Sequence, residues 1–329
     1  MSKHWRLWAL LILLGLGLQQ ARAAEELRLE AEYPVEGMRG GNLSGLALCK
    51  GEFWTVSDRD DDQYYRLDSS GEIWKAEAHP ISAGPPPSAG LPWNLRLFVR
   101  LAEYKRGGTV DLEGITCDEA GNRYLVSEGY AAVLLDPVQG GQAWLKLPWN
   151  LMSQANRHGL LTHFNSIYEG ISVSPDGQQI WLAAERQRRG ILTLFKQGDK
   201  WVCHGSCVMF TEGGTTPIPP ALGKRGPLPV DFSDMVYYHG KLFTLERAAH
   251  QLCRRSAQSG IAERCWSFAK TLLAPVRHYR QNWGLAEALW IDERGAWIGL
   301  DTGDLAREDG DKRPYVLHYA APAAGWDAP

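Results

Sequence analysis

Beyond residue 18 the chain has no long apolar run, nowhere does it carry a polybasic block, and helical periodicity is sparse. Each shortage excludes a class of protein. Crossing a bilayer as a helix takes about 20 consecutive apolar residues, so no transmembrane segment is expected once the leader described below is removed. A formal net charge of -3 without clustered Lys and Arg argues against nucleic acid as a partner. Apolar residues at helical spacing recur only from Asn150 to Leu161, which excludes helical solenoids and leaves one short helix expected there. Also missing are a Gly-x-Ser-x-Gly elbow, a His-Glu-x-x-His pair and a Walker loop, and with them three common enzyme chemistries.

What is present begins with a leader. Met1-Ser-Lys-His-Trp-Arg6 is basic, Leu7 to Leu18 is apolar and Ala21-Arg-Ala23 offers small residues for cleavage. Residues 1–23 therefore read as a signal peptide and 24–329 as one domain, periplasmic or secreted. The first cysteine is Cys49, too far from the leader for a lipid anchor. Six cysteines in an exported chain imply disulfides. Cys253 and Cys265 flank a polar loop and are expected to pair, and Cys203 and Cys207 would close a small loop. A zinc site at Cys203, His204 and Cys207 lacks a second ligand pair.

Internal repetition says most about the fold. Leu91-Pro-Trp-Asn-Leu95 recurs as Leu147-Pro-Trp-Asn-Leu151, and each copy stands at the same distance from a Glu-Gly-Ile, at Glu113 and Glu169. Trp93 and Trp149 in these copies are expected to pin loops to blade edges. A two-strand unit then appears five times: Ser44-Gly-Leu before Phe53 to Arg59, Glu113-Gly-Ile before Arg123 to Glu128, Glu169-Gly-Ile before Gln179 to Glu185, Ser233-Asp-Met before Lys241 to Glu246, and Glu287-Ala-Leu before Ala296 to Asp301. Turn residues such as Lys50-Gly51 and His239-Gly240 separate the strands. The expected fold is all-β, a single propeller. Six blades are expected, with five as the alternative. Glu26 to Tyr33 pairs with Pro314 to Tyr319 to close the ring, and Leu95 to Leu101 would supply a further strand.

In a propeller, equivalent positions converge on one axis. The acid opening the first strand is Glu113, Glu169, Asp234 or Glu287, and the acid closing the second is Asp58, Glu128, Glu185, Glu246 or Asp301. All nine are expected near one mouth of the channel, where they would hold a metal ion. Calcium is the expected ion, because it takes carboxylate and carbonyl oxygens. Arg59, Arg186 and Arg247 each follow a closing acid. Adjacent strand residues face opposite ways, so each arginine is expected to pair with a neighbouring blade's acid, fixing blade packing, or to hold an anionic substrate group. Glu113, Glu169 and His163 are the candidate catalytic groups.

The Glu-Gly-Ile motifs, the strands ending in an acid and Arg, and Asp231-Phe-Ser-Asp-Met235 and Gly284-Leu-Ala-Glu-Ala288 resemble the phytase-like propeller family called "esterase-like activity of phytase", over roughly Asn42 to Asp304. The resemblance implies an exported propeller with an esterase or phosphoesterase activity. The chain has no Asp-Asp-Pro-Ala motif of the kind found in calcium-dependent propeller phytases. The expected function is metal-assisted hydrolysis of an ester or phosphoester in a small anionic or ester substrate. The alternatives are a non-enzymatic envelope scaffold, in which the acids and arginines are structural, and a calcium-dependent lactonase.

Overall fold

The computed structural model describes residues 24–87, 110–163, 167–186, 188–222, 226–279, 281, 283–303 and 305–328. The expected signal peptide, Trp93 and the strand expected at Leu95 to Leu101 lie outside them.

Each two-strand unit extends outward into a blade. Blade 1 comprises Gly45–Cys49, Glu52–Val56, Gln63–Asp68 and Trp74–Pro80. Blade 2 comprises Leu112–Cys117, Arg123–Ser127, Ala132–Asp136 and the short Ala143–Trp144. In blade 3, Tyr168–Val173, Gln179–Ala184 and Arg188–Gln197 are followed by Lys200–Val202 and Val208–Gly213, which both pair with the third strand. Blade 4 comprises Asp234–Tyr238, Lys241–Glu246, Gln251–Ser256 and Ala262–Ser267. Blade 5 draws Ala286–Ile291, Gly295–Leu300 and Tyr315–Ala320 from its own repeat and takes Leu29–Glu36 as its fourth strand. The hairpin turns behave as their residues demand: Lys50-Gly51 and His239-Gly240 all have positive φ, the conformation that two-residue hairpin loops require.

The propeller closes through strands from the two ends of the chain, as expected, and the described residues form five blades. The inner strands adjoin one another in a complete ring, blade 1 to 2, 2 to 3, 3 to 4, 4 to 5 and 5 to 1. The pairing of Leu29–Glu36 with Tyr315–Ala320 does not found a sixth blade, because the last repeat has three strands and that pairing completes it. The same Leu29–Glu36 runs parallel to Trp74–Pro80, Val35 opposite Trp74, so blades 1 and 5 form one eight-stranded sheet.

Strand alternation supplies five cores, one for each blade interface. Leu46 and Phe53 pack towards blade 5 with Trp74 and Trp297, while the intervening Ala47 and Trp54 pack towards blade 2 with Leu112 and Ile115. Tyr168, Ile180 and Leu182 join blades 2 and 3, Trp181 with Phe232 and Met235 joins 3 and 4, and Phe243, Trp266, Ile298 and Leu317 join 4 and 5. The expected short helix is Leu151–Arg157, between blades 2 and 3. Trp149 beside it departs from expectation: it is 89% exposed and pins nothing.

Cys253 pairs with Cys265 and Cys203 with Cys207, as the spacing suggested. A third disulfide, Cys49–Cys117, ties the far ends of the inner strands of blades 1 and 2. It spans 68 positions against 4 for Cys203–Cys207. Chain-entropy arguments then give losses of about 4 and about 2 kcal/mol for removing the two bonds. Replacing Cys49 and Cys117 together by Ala is expected to lower the unfolding free energy in urea by more than the same change at Cys203 and Cys207; an equal or smaller loss would refute this.

Candidate functional site

Inner strands begin, and second strands end, on one rim of the central channel. Three inner strands open with a β-bulge, and the extra residue is the repeated glutamate. The register shifts between Leu112 and Gly114, between Tyr168 and Gly170, and between Ala286 and Ala288, leaving Glu113, Glu169 and Glu287 unpaired in the ladder. A bulge re-aims a side chain. The glycine that follows lets the strands converge: a Cβ on Gly45 would meet Gly114 Cα at 2.8 Å, and one on Gly170 would meet Met235 N at 2.7 Å.

Two groups of carboxylates result. Oxygens of Asp58, Asp111 and Glu113 lie within 4.8 Å of one another, and so do oxygens of Glu128, Glu169 and Glu185. Glu113 links the two, because its carboxyl is close enough to feel Glu169 and Glu128 as well as Asp111 and Asp58. Burial, then the neighbouring acids, holds Glu113, Glu128 and Glu169 well above the usual carboxylate range. Asp58 is pushed up to about 7 by burial and by Asp301, and Asp301 to about 6 by burial. Asn42 donates to Asp58, and Ile167 N–H donates to Glu128 Oε1 at 2.8 Å.

The arginines sit asymmetrically. Arg247 is surrounded by acids from three blades or their links: Nη2 is 2.7 Å from Glu185, Nε is 3.3 Å from Asp231 and Nη1 pairs with Glu287. It crosses between blades as expected. Arg59 and Arg186 each pair with the acid just before it, at 3.3 Å from Asp58 and 2.7 Å from Glu185, and each also acts electrostatically on an acid of the neighbouring blade, Arg59 on Asp301 and Arg186 on Glu128. The alternation argument does not bar the adjacent acid at these two, because the second strands end at Val56 and Ala184, before either pair begins. Both side chains stay accessible, Arg59 at 44% and Arg186 at 35% exposure.

Five expected site residues lie outside the two carboxylate groups, of which Asp301 is near enough to raise the proton affinity of Asp58. Asp234 is in regular register opposite Leu245, without a bulge, and its carboxylate accepts the N–H groups of Met235 and Leu289 at 2.7 and 2.6 Å. It stitches blade 4 to blade 5. Glu246 is held by Arg189 at 2.8 Å and Arg255 at 2.6 Å. Glu287 is taken by Arg247. His163 is exposed on the bend before blade 3. Asp111 and Asp231, in turn, were not among the expected site residues. Asp111 has no counterpart in the other repeats, so a search by repetition passes over it; its φ of 53° is uncommon outside glycine and tolerated by Asp.

The donor set suits a hard cation. Every candidate ligand is a carboxylate, and oxygens within 4.8 Å of one another can share an ion to which each is bonded at about 2.4 Å. Glu185 Oε2 is buried without a hydrogen-bond partner. The six acids of blades 1 to 3 have three arginines beside them, the half-exposed Arg59 and Arg186 and the Arg247 that reaches Glu185 from blade 4, so carboxylates outnumber guanidinium groups two to one. These acidic groups can hold a metal ion.

Residues 39–195 match the phytase-like family described as esterase-like activity of phytase. The match covers blades 1 and 2 and most of blade 3, including both carboxylate groups; the resemblance in Asp231 to Met235 and Gly284 to Ala288 lies beyond it. No curated protein matches the chain. Similar solved structures include a gluconolactonase from Xanthomonas campestris, 10% identical with a TM-score of 0.44 over 84% of this chain and 71% of that one. Glutaminyl cyclase from Myxococcus xanthus is 9% identical with a TM-score of 0.49 over 90% and 99%. Virginiamycin B lyase from Staphylococcus aureus is 12% identical with a TM-score of 0.42 over 89% and 99%. At these values no residue's role is carried across from any of them.

Arg247 is the structural keystone of this rim. Arg247→Met would leave Glu185, Asp231 and Glu287 without their shared cation, and breaking a buried pair on one side costs about 3–5 kcal/mol. The expected outcome is a loss of that order in urea unfolding, and a loss under about 1 kcal/mol would show the network to be energetically idle.

Proposed function

We propose that the protein is an exported hydrolase of ester or phosphoester bonds that works with calcium at the acidic mouth of its channel. The observation that carries this reading is the pair of three-carboxylate groups at one rim, which outnumber the three arginines beside them, in the part of the chain that matches the phytase-like family. Export is supported by three disulfides. Among the described residues no helix is long and apolar enough to cross a membrane.

Asp58, Asp111 and Glu113, with Glu128, Glu169 and Glu185, would hold the ion. A bound divalent cation supplies Lewis acidity towards the substrate oxygen and makes water a better nucleophile near neutral pH. Arg59 and Arg186, accessible at the rim, bind the anionic part of the substrate. Arg247 keeps Glu185 and Glu287 in place. With the cation in place of their protons, Glu113 and Glu169 would be ionised, and a carboxylate oxygen not engaged by the ion would accept a proton from the attacking water. A lactone is a cyclic ester and falls within the same chemistry.

One observation favours a second reading, a non-enzymatic scaffold: Arg247 pairs with three acids at once, as a purely structural network would. Glu169→Gln separates the two. In the hydrolase it weakens calcium binding on the order of tenfold or more and lowers turnover of model acyl, lactone and phosphate esters, with the fold intact. In the scaffold it leaves no calcium dependence to lose, and wild-type protein that binds no calcium and cleaves none of these substrates would end the metallohydrolase reading.

The raised carboxyls add a pH test. Asp58 and Asp301 have folded-state pKa values of about 7 and about 6 against 3.8 in the unfolded chain, so the folded protein holds more protons between those values. The stability these groups contribute is full below about pH 4 and is lost as pH rises through about 7. A bound cation replaces the protons. With chelator present, Tm is expected to fall from about pH 5 to about pH 8, and about 1 mM calcium is expected to flatten that fall; identical curves would count against the ion.

A further inference from the structure

On the acidic rim, between blades 2 and 3, lies a cleft of about 530 Å³. It adjoins the carboxylates through the backbone. Tyr168, on its lining, directly precedes Glu169, and Ala131, also on its lining, donates its N–H to Glu128 O at 3.1 Å. Trp144, Leu147, Trp149 and Met152 supply most of the remaining wall. Among the described residues no acid and no arginine lines it, and the one charged residue that does, Lys146, is paired with Asp199 at 3.0 Å. Trp149 presents a large apolar face with 89% of its surface exposed. The second Leu-Pro-Trp-Asn copy thus builds a wall of this cleft.

The rim is poorly equipped for a polyanion. Arg247 is committed to three acids, Arg59 and Arg186 are each paired with one, and six carboxylates stand beside them. Several phosphates on one substrate would meet more negative than positive charge. An apolar group, by contrast, finds a concave carbon-lined space of a size typical for small-molecule sites, directly beside the acids.

We infer that the substrate is an ester bearing an apolar acyl or alkyl group of several carbons, which docks between blades 2 and 3 while its ester oxygen faces the carboxylate rim. The substrate part of this inference rests on the hydrolase reading; the docking part does not. The specificity-determining residues are Leu147, Trp149 and Met152. Glu169 and Glu113 act on the bond, and the cleft selects what is attached to it.

The p-nitrophenyl alkyl ethers, which cannot be hydrolysed as esters, test the cleft by itself. Titration calorimetry with the methyl, butyl and hexyl ethers is expected to show affinity rising with length, by up to about fourfold per added methylene. Trp149→Ala removes an exposed side chain and leaves the fold intact; it is expected to weaken the hexyl ether on the order of tenfold and the methyl ether less than about twofold. Affinity independent of length, or unaffected by Trp149→Ala, overturns the inference. The p-nitrophenyl acetate, butyrate and hexanoate esters, compared with p-nitrophenyl phosphate, then test the reading beneath it. A KM that falls with acyl length and rises for the hexanoate in Trp149→Ala supports both. Hydrolysis with no preference for length, or for the phosphate above all, overturns the inference and keeps the hydrolase. Ethers bound in order of length with no ester cleaved overturn the hydrolase and keep the cleft as a site for apolar ligands.

Discussion

The closeness of five inner strands around one axis governs the rest of the molecule. Gly45 and Gly170 mark where neighbouring backbones approach too nearly for a Cβ, and Gly114 where one would fit only tightly. A ring this tight leaves its rim side chains little room to diverge. Glu113 and Glu169, turned inward by bulges, therefore meet carboxylates arriving from the ends of second strands. Charge crowding here follows from narrowness, and the protein has to answer it with protons, guanidinium groups or a cation.

It gives different answers on the two sides. Towards blades 4 and 5, Arg247 gathers Glu185, Asp231 and Glu287, while Glu246 is shared by Arg189 and Arg255. Asp234 is satisfied by backbone N–H groups. Towards blades 1 to 3 the acids outnumber their arginines, and there neighbouring carboxylates add to the burial that raises proton affinity around the whole rim. The apolar cleft opens between blades 2 and 3, on that side. Arginine-rich and carboxylate-rich sectors of the ring are thus distinct, although the same repeat supplies both.

Much of this was legible in the sequence. The Glu-Gly spacing gave away a propeller, its turns and the acids that would converge, because a repeat places equivalent residues equivalently. What the repeat hides is departure from itself. The bulges at Glu113, Glu169 and Glu287 shift register without changing composition, so Asp234 looks like their counterpart while occupying a different place in its ladder. Asp111 lacks counterparts and stayed out of view. The blade number was open because whether a terminal strand completes a blade or starts one depends on how many strands the last repeat contributes. Cys49–Cys117 joins two blades, and its partners share no local pattern that would announce it.

The sheet shared by blades 1 and 5 has a consequence for how the chain comes together. Leu29–Glu36 lies between Tyr315–Ala320 on one side and Trp74–Pro80 on the other. Its antiparallel partner is nearly 290 positions later in the chain, so one of the first strands synthesised is among the last to be satisfied. Pairing at such separation is slow, since loop closure precedes any reward from contact. Until the late strand arrives, the ring stays open and both edges of that gap remain exposed. The ring is therefore latched only once the last strand is in place, with the earliest strand as the bolt.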